Sequence, residues 1–286
     1  MTANFQCGRF ELRFERPFVM GIVNVTPDSF SDGMQHYGAE QAIAHGLQLV
    51  QEGADILDIG GESTRPGAEP VSVEEELRRV IPVIRGLKDC GVPLSIDTFK
   101  PEVMQAALEA GADLINDIYA LQQPGALEVV ANHPNCGVCI MHMVGEPKTM
   151  QVAPPDYAGD VTAAVKDFLA ERIELMQASG IAANRIMIDP GFGFGKTVQQ
   201  NYQLLANLSA LKSLNKPILV GVSRKSMIGA VTGQSVEHRV PGSLVAGIAG
   251  VDRGAVVLRV HDVWQTKSAV DVWQAIAAEN KTFSLV

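Results

Sequence analysis

The sequence is poor in cysteine and in positive charge, and each shortage excludes a class of protein. Its 286 residues include 4 cysteines, too few for the disulfide framework of a secreted scaffold in a chain this long. Its 32 acidic residues exceed its 23 lysines and arginines, so the formal net charge is -9. A basic surface is needed to bind nucleic acid or an anionic membrane, and we therefore expect neither partner.

Long hydrophobic runs are also missing. The apolar segments are interrupted by Gly, Asp, Asn or Arg well before the roughly 20 residues that span a bilayer. Residues 1–18 carry charges where a secretory signal needs an apolar stretch. These features predict a soluble, cytoplasmic protein, and its hydrophobic content of 47% is sufficient for a sizeable core.

Short apolar segments alternate with longer segments whose apolar residues have helical spacing. The segments that read as buried strands are 19–25, 56–61, 94–97, 114–118, 138–143, 186–191, 218–223 and 256–263. Such alternation predicts a parallel sheet, and eight units in 286 residues favour a closed (β/α)8 TIM barrel over a doubly wound sheet. We expect residues 1–286 to form a single domain of the α/β class, with a short β-hairpin over residues 5–14.

Helix boundaries are marked by capping residues. Ser72 with Glu75 has the spacing of a capping box, and Pro101 is a good first helical residue for a segment that ends at Gly111.

A weak internal repeat places polar residues at corresponding points of the predicted strands. A glycine closes a helix, and a polar residue follows five positions later inside an apolar segment. The pairs are Gly53 with Asp58, Gly111 with Asn116, and Gly254 with Arg259. A fully buried parallel strand prefers Val or Ile at such positions, so these residues are expected to face one shared end of the barrel.

Polar residues recur near the carboxyl ends of the predicted strands, where the active sites of these barrels lie. They are Asn24, Asp58, Glu62, Asp97, Asn116, His142, Asp189, Lys225, Arg259 and His261. A buried charge costs several kcal/mol unless it is paired, so one or two could be core ion pairs, whereas the whole set indicates a site. Taken singly, Asp58 fits a structural role, and His142 could simply bond the backbone.

The residue types fall into two groups. Asp97, Asn116, Asp189 and Lys225 supply acceptors and donors for a flat heterocycle with an aminopyrimidinone edge. Asn24, Arg65, Arg259 and His261 suit an anion such as diphosphate. A heterocycle pocket beside a diphosphate pocket predicts displacement of diphosphate.

Two short motifs suggest other functions but fit them poorly. Cys136 and Cys139 form a CxxC pair, yet Cys139 lies inside an apolar run and the chain has no second CxxC, which disfavours a zinc or redox site. The segment DPGFGFGKT from Asp189 resembles a nucleotide-binding loop, but Pro190 replaces the first glycine of a P-loop. Its glycine amides could still cradle an anion.

Seven segments, in order over nearly the whole chain, carry a resemblance to a known family. They are GIVNVTPDSFSDG from Gly21, DIGGESTRPGA from Asp58, SIDTFKPEV from Ser95, INDI from Ile115, DPGFGFGK from Asp189, GVSRKSMIG from Gly221 and RVHDV from Arg259. NVTPDSFSDG, GGESTRPGA and SRKS together are highly specific, although INDI alone is weak. On these segments the chain resembles the dihydropteroate synthase family.

The resemblance implies a reaction, a cofactor and an assembly. The family condenses 6-hydroxymethyl-7,8-dihydropterin diphosphate with 4-aminobenzoate, giving 7,8-dihydropteroate and diphosphate, in folate biosynthesis. We therefore expect a transferase that uses Mg²⁺, is a sulfonamide target and forms a homodimer through helices near its C-terminal units.

The resemblance also assigns roles by position. The residues that match the family's pterin site are Asp97, Asn116, Asp189 and Lys225. The diphosphate ligands are matched by Asn24, which corresponds to the Mg²⁺ residue, and by Arg65, Arg259 and His261. The positions around the aminobenzoate are Phe30, Thr64, Pro66, Phe194 and Ser226. Of these sets, Asp97, Lys225, Arg259 and His261 are the expected catalytic residues.

The expected mechanism is substitution at the exocyclic methylene of the pterin. The ring stabilises a developing cation, Asp97 stabilises it further in a water-poor pocket, and the loops after the first two strands close late to exclude water. Two alternatives remain open: a pterin-binding methyltransferase, which has no need for the STRP and SRKS segments with Arg259 and His261, and a pterin-binding paralogue without turnover. Intact Asn24, Arg65, Lys225 and Arg259 disfavour the second.

Overall fold

The chain begins with a hairpin that lies against one end of a barrel. The computed structural model of the protein describes residues 4–25, 35–63 and 67–282, and the side chains of these residues except 35–37 and 280–282. Strands β1 (Asn4–Cys7) and β2 (Phe10–Arg13) pair antiparallel, with Phe5 opposite Leu12. Gly8 makes the turn at a φ of 55°, a conformation that favours glycine. The hairpin predicted over residues 5–14 is confirmed.

Parallel strands then form a closed barrel, in the order β10-β3-β4-β5-β6-β7-β8-β9. They are β3 (Phe18–Asn24), β4 (Ile56–Gly60), β5 (Leu94–Asp97), β6 (Leu114–Asp117), β7 (Gly137–Met141), β8 (Ile186–Asp189), β9 (Ile218–Val220) and β10 (Ala255–Val260). Their residues are buried almost throughout, as expected for strands with helices on one face and a filled interior on the other. The predicted TIM barrel is confirmed.

Helices cover the outside of the barrel between successive strands. They are α1 (Gln35–Gln51), α2 (Val73–Leu87), α3 (Pro101–Ala110), α4 (Ala126–Asn132), α5 (Val161–Ala178), α6 (Val198–Ala206), α7 (Ser226–Thr232), α8 (Val240–Asp252) and α9 (Val263–Thr282). α3 begins at Pro101 and is capped by Gly111 at a φ of 115°, as predicted. Only half of the predicted capping box forms on α2, because Ser72 Oγ accepts from Glu75 N while the Glu75 carboxylate binds Arg78 and Arg79.

Several strands end earlier than the sequence predicted. The segments predicted as 218–223 and 256–263 leave the sheet after Val220 and Val260. Beyond these points the two segments are joined through a side chain, since His261 N donates to Ser223 Oγ at 3.2 Å. The residues that were predicted as strand ends are therefore the starts of the loops at the mouth of the barrel.

Two hydrophobic cores support this arrangement. The larger lies between the strands and the helices. The smaller includes Phe5 and Leu12 of the hairpin, packed with barrel residues such as Met20, Ile56 and Val257 near the amino ends of their strands. The hairpin thus closes the amino end, and polar side chains collect at the carboxyl end. No helix in the described part of the chain combines the length and apolar composition needed to cross a membrane.

Candidate active site at the carboxyl end of the barrel

Asp58 is the centre of a hydrogen-bonded network inside the barrel mouth. It is fully buried on β4 and accepts from Ser95 Oγ at 2.5 Å, Asn116 Nδ2 at 3.2 Å and Arg259 Nε at 2.6 Å. Asp58, Asn116 and Arg259 lie on the alternate strands β4, β6 and β10, whose inward side chains share a layer in a barrel of this type. This layer explains the repeat of polar residues five positions after a glycine.

Arg259 joins this network to Asp97. Its Nη2 atom donates to Asp97 Oδ2 at 2.6 Å, so one guanidinium binds two carboxylates. Burial raises the pKa of Asp97 to about 7, Arg259 acts against this shift, and the neighbouring charge of Asp58 adds to it. Burial lowers the pKa of Arg259, but Asp58 and Asp97 outweigh it and raise the value. The site therefore holds a permanent cation beside a carboxylate that titrates near neutral pH.

Asp189 and Lys225 lie beside this network. Burial raises the pKa of Asp189 against the lowering effect of Lys225, and burial lowers the pKa of Lys225 to about 8 while Asp189 opposes it. Gly221 directly follows β9. A Cβ atom added to it would lie 3.9 Å from both Arg259 Cβ and Asp189 Oδ2. The lack of a side chain there keeps the space between these two groups open.

His261 is held at the rim by the loop after β9. Its Nδ1 atom lies 3.1 Å from Ser223 Oγ. The next residues of both loops are joined as well, because Arg224 Nε and Nη2 bind the two oxygens of Asp262 at 2.9 and 2.5 Å. This pair fixes the backbone next to Lys225 and next to His261.

The residues predicted to surround the aminobenzoate are only partly described. Phe30, Thr64 and Pro66 lie outside the described residues, as does Arg65 of the diphosphate set. Phe194 is half-buried, with Lys225 Nζ 4.6 Å from the centroid of its ring. Ser226 is exposed at the first position of α7, directly after Lys225.

Asn24 ends β3, where its backbone pairs in register with Gly60 of β4. Within the described ranges, no group of three or more His, Cys, Asp or Glu side chains is placed to hold a metal ion. Mg²⁺ in phosphate-transferring sites is commonly held by one or two protein oxygens together with substrate phosphates. A single amide oxygen at the end of β3 fits that kind of site.

Glu62 and His142 have partners that the sequence did not reveal. Lys100 Nζ binds the carboxylates of both Glu62 and Glu76, so Glu62 tethers the loop after β4 to helix α2. His142 Nδ1 lies 3.0 Å from the Nζ atom of the buried Lys196. Both pairs link groups far apart in the sequence, and spacing alone gave no signal for them.

The cysteines of the CxxC pair lie in different cores. Cys136 belongs to the core between strands and helices, and Cys139 to the core inside the amino end of the barrel. Burial raises the pKa of both thiols, which disfavours the thiolate that metal binding or redox exchange requires.

Comparison with known proteins agrees with this geometry. The family model for pterin-binding enzymes matches residues 20–261. The dihydropteroate synthase of Neisseria meningitidis serogroup B is 50% identical over 95% of this chain and 97% of its own length. The chain belongs to the dihydropteroate synthase family. The Escherichia coli K12 member of the family is 48% identical over 95% of this chain and 96% of its own length.

Solved structures of the dihydropteroate synthase family have the same fold. The Xanthomonas albilineans enzyme with 4-aminobenzoic acid is 55% identical, has a TM-score of 0.91 and covers 97% of this chain, with 99% of its own chain covered. The Burkholderia cenocepacia enzyme complexed with 7,8-dihydropteroate is 52% identical, with a TM-score of 0.88 and 98% of each chain covered. This protein is accordingly a transferase of folate biosynthesis, as the sequence analysis predicted.

Proposed function

We propose that this enzyme joins 6-hydroxymethyl-7,8-dihydropterin diphosphate to 4-aminobenzoate, releasing 7,8-dihydropteroate and diphosphate. The observation that carries this proposal is the buried network in which Arg259 binds Asp58 and Asp97, beside Asn116 and Asp189. Carboxylate and amide groups then surround a cation at the carboxyl end of the barrel, where these folds carry their active sites. Relatives solved with 4-aminobenzoic acid and with 7,8-dihydropteroate support the choice of substrates.

The pterin is assigned to Asp97, Asn116, Asp189 and Lys225. A carboxylate can accept two parallel N–H bonds from an aminopyrimidinone edge, and an amide can both donate and accept. Asp97, Asn116 and Asp189 are 9%, 6% and 7% exposed, so bonds to them form in an environment with little water. Hydrogen bonds to charged groups are worth more in such surroundings than at the surface.

In the reaction, the C–O bond between the pterin methylene and the diphosphate breaks, and the diphosphate leaves with the electron pair. Asp97 is assigned the role of stabilising the positive charge that develops on the methylene. The aniline nitrogen of aminobenzoate forms the new C–N bond and loses one proton. With no covalent enzyme intermediate, the four proposed catalytic residues, Asp97, Lys225, Arg259 and His261, act by binding and by electrostatic stabilisation.

The diphosphate is assigned to Asn24, Arg65, Arg259 and His261. Arg259 uses Nε and Nη2 for carboxylates, and among the described residues no acceptor engages Nη1, which is the donor proposed for a phosphate oxygen. Mg²⁺, held by Asn24 and the substrate, would neutralise charge on the leaving group. His261 adds a donor from a ring that Ser223 holds in place.

The aminobenzoate is assigned to Phe30, Thr64, Pro66, Phe194 and Ser226. Phe194 offers an aromatic wall, and the Ser226 hydroxyl at the start of α7 can meet the carboxylate. Sulfonamides would compete at this pocket, and a Yersinia pestis relative has been solved with a sulfonamide drug complex.

We also propose a homodimer that forms through the α6–α8 groove, defined by Tyr202, Leu205, Ile228, Val231, Val245 and Ala249. This groove measures about 570 Å³ and is largely apolar. Val231 and Val245 at its edge are 63% and 72% exposed. Large apolar side chains grouped at a surface are typical of an interface.

We propose further that residues 1–286 form a single pterin-binding domain in the cytoplasm. The hairpin packs with barrel residues in the smaller core, and the strands pack with the helices in the larger one, which supports one domain. All four cysteines are free thiols, as a reducing compartment maintains them.

The test is product formation by the purified protein. Given both substrates and Mg²⁺, it should form 7,8-dihydropteroate, followed by chromatography, and omission of either substrate should abolish the product. Methyl transfer from a methylated tetrahydrofolate, without dihydropteroate formation, would favour the methyltransferase alternative. Tight pterin binding without either product would favour the paralogue without turnover.

A further inference from the structure

Lys196 is a buried lysine whose Nζ atom is hydrogen-bonded to uncharged groups, and burial lowers its pKa to about 7. It is 2% exposed and lies in the glycine-rich loop after β8, the segment that resembles a nucleotide-binding motif. Its Nζ atom lies 3.0 Å from His142 Nδ1 and donates to Gly191 O at 2.8 Å, Phe194 O at 3.1 Å and His142 O at 3.3 Å. The lysine faces the interior of its own loop, where it cannot meet a phosphate as a P-loop lysine does.

His142 is suited to accept a hydrogen bond from this amino group. Burial and the charge of Lys196 lower the pKa of His142 to about 3, so the ring is neutral at neutral pH and Nδ1 can accept. Tyr157 and Phe168 pack against the ring with centroid distances of 5.8 and 5.1 Å. The imidazole is thus held in an aromatic cage with its acceptor directed at Lys196.

Other side chains bind the same loop at further points. Gly193 N donates to Asn201 Oδ1 at 2.7 Å, and Gly193 O accepts from Gln151 Nε2. Tyr157 Oη donates to Gly195 O at 2.7 Å. Together with Lys196, these contacts hold successive peptide groups of the loop in one conformation.

The loop passes so close to residues 142–144, directly after β7, that its shape requires glycine. A Cβ atom on Gly191 would lie 1.9 Å from His142 O, and one on Gly195 would lie 2.6 Å from Val144 O. Both glycines have positive φ, 73° and 63°. The glycines allow this close approach, and Lys196 donates to the loop carbonyls that point inward.

The outer side of this loop meets Lys225 of the proposed pterin site. Phe192 O accepts from Lys225 Nζ, and the Phe194 ring lies 4.6 Å from the same ammonium. Phe194 is also a proposed wall of the aminobenzoate pocket. The position of the loop therefore determines where two groups of the proposed site lie.

We propose that Lys196, with His142 as its acceptor, is a positioning residue for the pterin and aminobenzoate pockets. It touches neither substrate and acts through the loop of residues 190–196, which places Lys225 and Phe194. This inference rests on the proposed function for the identity of the two ligands.

The test compares three variants. Lys196→Met keeps the length of the side chain and removes its donors. His142→Phe keeps the aromatic packing and removes the acceptor. Lys216→Met is the matched control, because Lys216 donates to a single backbone carbonyl, that of Ala183, at the opposite end of β8.

Two measurements separate positioning from a purely structural role. The first is hydrogen exchange of the Gly193, Phe194 and Gly195 amides in the ligand-free protein, with thermal unfolding measured in parallel. The second is the Kd of 6-hydroxymethyl-7,8-dihydropterin together with KM and kcat for 4-aminobenzoate.

In Lys196→Met we expect lost protection in this loop and at least about tenfold weaker pterin binding, since small misplacements of binding groups have effects of this size. KM for aminobenzoate should rise more than kcat falls. His142→Phe should also reduce loop protection and weaken pterin binding, but by less. Lys216→Met should change neither quantity.

Native loop protection and unchanged Kd in a folded Lys196→Met protein would overturn the proposal. If that variant does not fold, unchanged binding and protection in His142→Phe would overturn it instead. Failure of the wild-type protein to bind the pterin would count against the proposed function, while the exchange measurement would still decide the role of Lys196 in the loop.

Discussion

Arg259 lies between two carboxylates, and this arrangement governs how individual residues at the barrel mouth respond to pH and substitution. Asp58 is fully buried and bound on three sides, whereas Asp97 is 9% exposed and has a pKa raised to about 7. Asp97 is therefore the member of the network that changes charge near neutral pH. Its ionised form is the one that can accept a pterin N–H bond and stabilise positive charge that develops at the methylene.

The pH dependence of pterin binding follows from this shift. The affinity for 6-hydroxymethyl-7,8-dihydropterin should fall as the pH drops below about 7, because protonated Asp97 loses acceptor capacity. This alcohol has no phosphate to titrate, so calorimetry across pH 5 to about 8 reports mainly on the protein. Asp97→Asn should bind weakly and lose the pH dependence centred near 7, while the contributions of Asp189 and Lys225 remain. Asp271→Asn, at an exposed ion pair on α9, should behave like wild type.

The raised pKa of Asp97 affects stability in the opposite direction from pterin binding. The pKa of Asp97 in the folded protein lies above its ordinary value of 3.8, so between about pH 4 and 7 the folded state binds more protons than the unfolded state. The contribution of Asp97 to the free energy of unfolding should therefore rise as the pH falls through this window.

Turnover by Asp97→Asn should drop by at least about 100-fold while the fold is kept. Near-normal turnover in that variant would remove Asp97 from the mechanism.

Replacing Arg259 by Ala should weaken binding of the pterin diphosphate far more than binding of the pterin alcohol, because a phosphate donor is lost. The variant should also be less stable, since Asp58 would be left buried without its cation. The comparison of the two Kd values is made by calorimetry at a temperature where circular dichroism shows a folded protein. Equal losses for both ligands would show that Arg259 serves only the structure.

For individual residues, spacing in the sequence predicted which ones share the barrel mouth, but not their hydrogen-bond partners. Asp58, Asn116 and Arg259 follow glycines at the same interval, and the structure brings them together. Sequence analysis assigned Asp58 no more than a structural role, because its bonds to β5, β6 and β10 depend on strand register. Lys196 gave no signal beyond a false likeness to a P-loop, because its acceptors are mostly backbone carbonyls whose positions exist only in the folded loop.

Among the elements, the N-terminal hairpin is joined to the barrel by a buried carboxylate as well as by its apolar side chains. Asp113, before β6, accepts from Arg9 N, Arg9 Nε and Arg9 Nη2 at 2.9 to 3.0 Å and from Leu94 N at 3.1 Å. A Cβ on Gly8 would lie 2.4 Å from Asp113 Oδ1, so the turn is pressed against the same group. The hairpin lies at the end of the barrel opposite the active site, where barrels of this type carry stability.

Arg9→Ala should lower the free energy of unfolding by about 2 kcal/mol, because it leaves Asp113 buried without its counter-ion while Arg9 itself is partly exposed. Urea denaturation measures this change. Turnover at low temperature should stay close to wild type. Arg13→Ala, at an exposed position of the same hairpin, is the control and should alter neither quantity. A large loss of turnover in Arg9→Ala would contradict the assignment of this end to stability.

The order and type of the elements could be predicted from sequence, whereas several of their ends could not. Apolar content identified β9 and β10 but extended both past Val220 and Val260, since a valine shortly after each strand, Val222 and Val263, continues the apolar pattern. Pro101 and Gly111 fixed α3 correctly because each acts through its own backbone geometry. Local chemistry therefore predicts a boundary well, and hydrophobicity alone does not.

For the molecule as a whole, the net charge of -9 repels an anionic substrate, so attraction must come from cations gathered at one end. Lys225 and Arg259 lie at the same mouth. Assembly concerns a different surface, the α6–α8 groove, which lies on the outside of the barrel.

Val245→Glu should break the proposed homodimer, because it places a charge in an apolar interface. Sedimentation or light scattering should give the mass of a dimer for wild type and of a monomer for the variant. Val272→Glu on α9 is the control, since Val272 is 62% exposed and lies away from the groove. A wild-type protein that is monomeric at all concentrations would rule out this assembly.

The central claim is that this barrel transfers the pterin methylene to an arylamine in a site that excludes water. The most direct measurement is to quantify diphosphate and 7,8-dihydropteroate in the same reaction, with and without 4-aminobenzoate. We expect the two products in equal amounts when the arylamine is present and almost no diphosphate when it is absent. Steady diphosphate release without 4-aminobenzoate, or release in excess of dihydropteroate, would show a hydrolase and contradict the account.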